Sequence, residues 1–116
     1  MNLKTKAFFL GVIGDITLQT IVKFKGNFAG LKGYFEQHEI MESFLIAGGI
    51  MFFVTYIYEL TGLPLTLPYL FIYGGILDIL FRYLNLMPSL EHTYYNALNP
   101  IQSFIWGGIP MIMILI

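Results

Sequence analysis

Two aspartates lie inside apolar stretches of this chain, each with a polar residue four positions later: Asp15 with Gln19, and Asp78 with Arg82. A spacing of four puts both members of a pair on one face of a helix, together with Gly11 in the first case and Gly74 in the second. An ionisable group in hydrocarbon is costly, at roughly 2.5 to 3.5 kcal/mol on insertion scales, and so faces protein or water. The spacing lets Asp78 pair with Arg82 inside one helix. If the two stretches run parallel, Asp15 and Asp78 sit at similar depth, and Asp15, Gln19, Asp78 and Arg82 can form a polar seam. Such a seam can do one of two things. It can carry protons, ions or a substrate, or it can lock helix register by ion pairing and hydrogen bonding. One acid pair with one arginine is sparse for a relay, which favours the lock.

Other chemistry finds little footing. His38 and His92 have no ligand-spaced partners, so no metal is expected. Ser43, Ser89 and Ser103 lack a local base, and there is no nucleophile elbow, P-loop or zinc-protease motif. With no cysteine, thiolate nucleophiles and thiolate metal sites are excluded. No enzyme and no cofactor is expected. A net charge of -1 gives no basic face for nucleic acid. Glu36, Glu39 and Glu42, at steps of three, suit a solvated face beside a helix N-terminus.

The elements that must carry the polar residues are apolar. Of 116 residues, 57% are hydrophobic and 11% charged, about half the charge usual in a soluble domain. Four stretches stand out: 7–22, flanked by Lys4, Lys6, Lys23 and Lys25; 43–60, starting at Glu42 and Ser43; 68–83, after the tight Thr61-Gly62-Leu63-Pro64 connection; and 100–116, with Pro110 inside it. Each is short for a hydrocarbon core of roughly 30 Å. Asp15 and Gln19 interrupt the first, which reads as a retained segment rather than a signal peptide. The expectation is an all-α integral membrane bundle of about four short transmembrane helices, one domain over residues 1–116. Two interfacial segments are expected, at 26–41 and 85–99. Lysine and arginine counts place both of these on the cytoplasmic side and the termini across the membrane.

Three glycine phrases recur in the apolar runs: Ala47-Gly48-Gly49-Ile50, Tyr73-Gly74-Gly75-Ile76 and Trp106-Gly107-Gly108-Ile109. In lipid, small residues let helix backbones approach closely, so Gly48, Gly49, Gly74, Gly75, Gly107 and Gly108 are expected at helix contacts. The phrase hints at an internal repeat, but its unequal spacing gives no solenoid period. Tyr56, Tyr58, Tyr69, Tyr73, Tyr83 and Trp106 lie toward segment ends and read as an aromatic belt. In the segment 85–99, Leu90, Tyr94 and Leu98 fall at steps of four and can dip into the interface. Glu91, His92 and Asn96 then point to water as a docking edge.

Two resemblances accompany these patterns. Gly14-Asp15-Ile16-Thr17-Leu18-Gln19 resembles, over one helix, the Gly-Asp-x-x-x-Gln of the small four-helix peroxisomal and inner-mitochondrial membrane proteins. The wider pattern includes Gly30-Leu31-Lys32-Gly33-Tyr34-Phe35, Ala47-Gly48-Gly49, Tyr94-Tyr95 and the run from Asn99 to Pro110. It is similar to small multi-pass membrane proteins of large nucleocytoplasmic DNA viruses. That resemblance implies a structural component of an internal virion membrane, or of the host membrane from which it derives, beneath a protein shell. Its implied partners are the lipid bilayer and other membrane or capsid proteins, with a homo-oligomer as a further option. The alternative is a small channel or transporter using Asp15 and Asp78.

Overall fold

Asn2 opens the first helix by accepting a hydrogen bond from the Thr5 amide at 2.8 Å, satisfying one of the free N–H groups of the first turn. This helix, α1, runs Leu3–Lys25 and closes with Lys23 and Lys25 in its last turn, where cations meet the negative end of the helix dipole. A short α2 covers Leu31–Gln37. The third, α3, is Ile40–Thr61 and ends at Gly62, whose φ of 72° is the left-handed conformation that lets the chain turn sharply away. After four extended residues α4 spans Leu67–Leu84, with proline in its first turn. Residues 94–97 form a helical turn. The last helix, α5, is Pro100–Met113. It begins with a reciprocal cap in which Asn99 accepts from the Gln102 amide while the Gln102 side chain accepts from the Asn99 amide. The computed structural model describes residues 2–26, 28, 30–85 and 94–116.

By length and hydropathy α1, α3 and α4 can each cross a bilayer. At 1.5 Å per residue they reach roughly 34, 33 and 27 Å. Four spans were expected, and α5 falls short: 14 residues reach roughly 21 Å. Its apolar sequence continues to Ile116, but regular helix stops at Met113.

Around an apolar core the helices leave many large apolar side chains exposed and bury a few polar ones. Phe9, Phe24, Leu45, Phe53, Leu60 and Ile101 are exposed, whereas Asp15, Ser43, Thr55 and Ser103 are buried. That is the pattern of helices whose solvent is hydrocarbon: apolar side chains face out and polar ones must find partners within.

The helices pair as two antiparallel hairpins, α1 with α3 and α4 with α5. Ala7, Val54, Tyr58, Leu70, Met111 and Ile114 join the hairpins in one cluster near the α3–α4 turn, while Leu31, Tyr94 and Tyr95 centre a second cluster near the opposite end. The expected aromatic belt holds only in part. Tyr56, Tyr69 and Tyr83 are exposed, but Tyr58 is fully buried and donates to the Pro64 carbonyl, and Tyr73 donates to the Val54 carbonyl at 2.7 Å. Trp106 packs edge-to-face on Phe28. The two tyrosines turn inward because each hydroxyl finds a carbonyl acceptor there that lipid cannot offer.

Candidate functional site

Each hairpin is held by an aspartate from its first helix and a serine from its second. In the first, Ser43 Oγ lies 2.9 Å from both Asp15 carboxylate oxygens and donates its proton between them, and Gln19 Nε2 donates to Oδ2 at 2.6 Å. Asp15 is 6% exposed and Ser43 is 1% exposed, so this contact is shut off from the surroundings. In the second, Ser103 Oγ donates to Asp78 Oδ2, and the Tyr94 hydroxyl approaches the same oxygen at 3.5 Å. The backbone permits this closeness because both helix pairs cross where side chains are absent. A Cβ on Gly11 would come 2.6 Å from the Ala47 carbonyl oxygen, and one on Gly74 would collide with that of Gly107. A Cβ on Gly107 would collide in turn with the Asp78 side chain.

The expected polar seam is therefore divided between two sites. Asp15 and Gln19 remain together, but α1 and α4 are not packed side by side, and each aspartate faces the partner helix of its own hairpin. Arg82 does not close onto Asp78. Its Nη1 donates to the Leu98 carbonyl at 2.7 Å, and its guanidinium lies 5.9 Å from the centre of the Tyr95 ring. The arginine thereby ties the end of α4 to the turn before α5.

Five of the six glycines singled out by the sequence lie at close contacts. Gly48 faces the Phe8 ring, Gly75 the Phe104 ring and Gly108 the Phe71 ring, while Gly74 and Gly107 meet backbone to backbone. Gly49 is different: it is exposed, with open space where a Cβ would stand. Gly11, which the glycine phrase did not include, makes the tight contact in the first hairpin. Of the proposed docking edge, Asn96 is exposed on its helical turn, while Glu91, His92 and Leu90 lie outside the described residues. Tyr94, expected to dip into the interface, is buried and turned toward Asp78.

The two sites correspond position by position. Phe8, Gly11, Asp15 and Gln19 match Phe71, Gly74, Asp78 and Arg82 at one constant step along the chain. Tyr34, Ser43, Phe44, Gly48, Met51 and Val54 match Tyr94, Ser103, Phe104, Gly108, Met111 and Ile114 at a second constant step. Matching residues make matching contacts: aspartate with serine, phenylalanine ring on glycine. Ala7 with Leu70, and Val54 with Ile114, are also equivalents, and all four meet in one core cluster. The molecule is a tandem repeat of one hairpin.

Tyr34 supplies the counterpart of Tyr94. It is 6% exposed, and burial together with the nearby charges of Asp15 and Glu42 pushes its phenol up to about 12. Burial likewise raises the phenols of Tyr94 and Tyr95. These hydroxyls stay protonated at neutral pH, and that of Tyr94 points at Asp78. His38 Nδ1 is 2.8 Å from the Tyr34 carbonyl oxygen and Nε2 is 4.0 Å from Glu42, both within its own short stretch of chain. No group of three or more histidine, cysteine or carboxylate side chains among the described residues is arranged to hold a metal. Comparison with family models, curated proteins and solved structures gives no match.

Proposed function

We propose that this chain is a structural multi-pass membrane protein in which the intramembrane aspartates are locks between helices. The observation that carries this reading is the use made of the two carboxylates: each is taken up by a serine of the neighbouring helix and by a second donor. A carboxylate poised to conduct or to bind a solute needs an unengaged face toward a water-filled path. Two surface grooves, one along Ile79, Phe104 and Ile105 and the other along Leu45, Gly49 and Phe53, are instead apolar, and neither is lined by an aspartate. In hydrocarbon an unlocked hairpin would leave an unpartnered carboxylate, so the locks select one helix register.

The resemblance to viral multi-pass proteins supports placement in a virion membrane beneath a shell. The segment 26–41, with Lys32, Glu36 and Glu39 exposed, the adjoining Glu42, and Asn96 on the same end of the bundle would be the contact surface. The positive-inside rule puts that end on the cytoplasmic side. Crossing by all four long segments belongs to this proposal, with residues 114–116 completing the last.

Flux through the reconstituted protein tests the role of the aspartates. In proteoliposomes carrying a pH gradient or a potassium gradient, the wild-type chain should leak no faster than empty vesicles. Leakage that disappears in Asp15→Asn with Asp78→Asn would replace the structural reading with a channel.

A further inference from the structure

The interior of each hairpin and the junction between hairpins are built differently. Inside a hairpin, backbones touch across glycine and an aspartate is bonded to a serine. Between hairpins, contact is made by side chains and is uneven along the bundle. At the end near the α3–α4 turn all four long helices meet in the cluster of Ala7, Val54, Tyr58, Leu70, Met111 and Ile114, and the Tyr73 hydroxyl bridges to Val54. At the other end the two sides of the junction differ. Between α1 and α5 the junction is filled by Leu18, Trp106 and the Phe28 ring. Between α3 and α4 it is an open groove lined by Leu45, Ile46, Gly49, Ile50, Phe53 and Phe81 that runs down to Val54 of the turn-end cluster. The repeat makes part of the cause legible: the equivalent of Trp106 is the smaller Ile46, and on the groove wall Gly49 has no side chain where its equivalent, Ile109, carries one.

We propose that the two hairpins move as rigid bodies about a hinge at the Ala7, Leu70, Val54 and Ile114 contact, so that α3 and α4 part and close at their Asp-bearing end while α1 and α5 stay joined through Trp106. Rocking of one repeat against another is an established mode of motion in membrane proteins built from repeats, and packed cores tolerate it where side-chain contacts, not backbone contacts, form the junction. In this chain the movement opens a lateral, apolar cleft to lipid. The hairpins are joined at the hinge end by the exposed segment 62–66, where Tyr58 donates to the Pro64 carbonyl.

The absence of cysteine allows direct spin-labelling of introduced pairs in phosphatidylcholine vesicles. All positions chosen are exposed. Met41→Cys with Tyr83→Cys reports α3 against α4 at the open end, and Leu45→Cys with Leu80→Cys is a second pair across the same groove. Phe24→Cys with Met41→Cys and Tyr83→Cys with Ile101→Cys report the interior of each hairpin. Tyr56→Cys with Tyr69→Cys reports the hinge end. The expected result is a broad or two-peaked distance distribution for both pairs across the groove and a single narrow one for the other three. Gly49→Ile, which restores the side chain its repeat partner carries, should narrow the distribution across the groove. Equal widths for all pairs, a hinge-end distribution as broad as the groove's, or no narrowing by Gly49→Ile would each overturn the proposal.

Discussion

The first hairpin, α1 with α3, and the second, α4 with α5, answer the same physical problem with different means. Both bury an aspartate against a serine and bring backbones together over glycine. The first uses long helices, a neutral Gln19 as second donor and an alanine opposite its key glycine. The second has shorter helices, glycine on both sides of its crossing, and an arginine that ties down the approach to α5. Where a hairpin has less helix to bury, it approaches more closely and spends a cation on its connection. The shared part of the design is thus the lock and the crossing; the ends are free to vary.

The largest effect should come from the crossing in the second hairpin. Gly107→Ala places a methyl against the Asp78 side chain and the Gly74 carbonyl, and backbone cannot retreat as a flexible side chain would. A loss of about 3 kcal/mol, at the upper end for overpacking, is expected in a denaturation assay in detergent or bicelles. Gly49→Ala should cost nothing and can add up to about 1 kcal/mol, since it removes a mid-helix glycine facing open space. If both substitutions behave alike, the contrast between packing glycines and surface glycines is wrong. A smaller effect of opposite sign separates the hairpins at Thr55. Its hydroxyl is the one buried side-chain oxygen or nitrogen without a hydrogen-bond partner among the described residues, and its repeat equivalent is Leu115, where α5 has already ended. Thr55→Val keeps the shape and removes the unpaired group. The expected gain is about 1 kcal/mol in the same assay, and a loss would mean that the hydroxyl has a partner in the membrane.

Much of this was legible in the residues. Helix class, the places of α1, α3 and α4, and the pairing of Asp15 with Gln19 follow from apolar runs, caps and a spacing of four. The length of α5 did not, because an apolar tail extends its signal past the last helical residue. For Arg82 the spacing makes Asp78 reachable, but the Leu98 carbonyl takes its donor and Asp78 already has hydroxyls. The repeat was hidden by a more conspicuous pattern. The thrice-repeated glycine phrase aligns Gly48 with Gly107, one position out of step with the contacts, which match Gly48 to Gly108. Gly74, read as a member of the same phrase, is instead the counterpart of Gly11. The signal that finds the repeat is Phe-x-x-Gly-x-x-x-Asp followed later by Ser-Phe, present once in each half. Ser43 and Ser103 have no base to make them nucleophiles; their chemistry is donation to a carboxylate.

The central claim is that the aspartates act separately, each within its own hairpin, and double-mutant cycles on stability test it most directly. Asp15→Ala with Ser43→Ala, and Asp78→Ala with Ser103→Ala, should each show a coupling above the average of about 0.6 kcal/mol for hydrogen bonds between membrane helices and up to the maximum of about 1.7 kcal/mol, because these bonds are to a carboxylate. Asp15→Ala with Asp78→Ala should be additive within about 0.5 kcal/mol. Strong coupling between the two aspartates, with little coupling to either serine, would contradict the account and restore a single polar seam through the bundle.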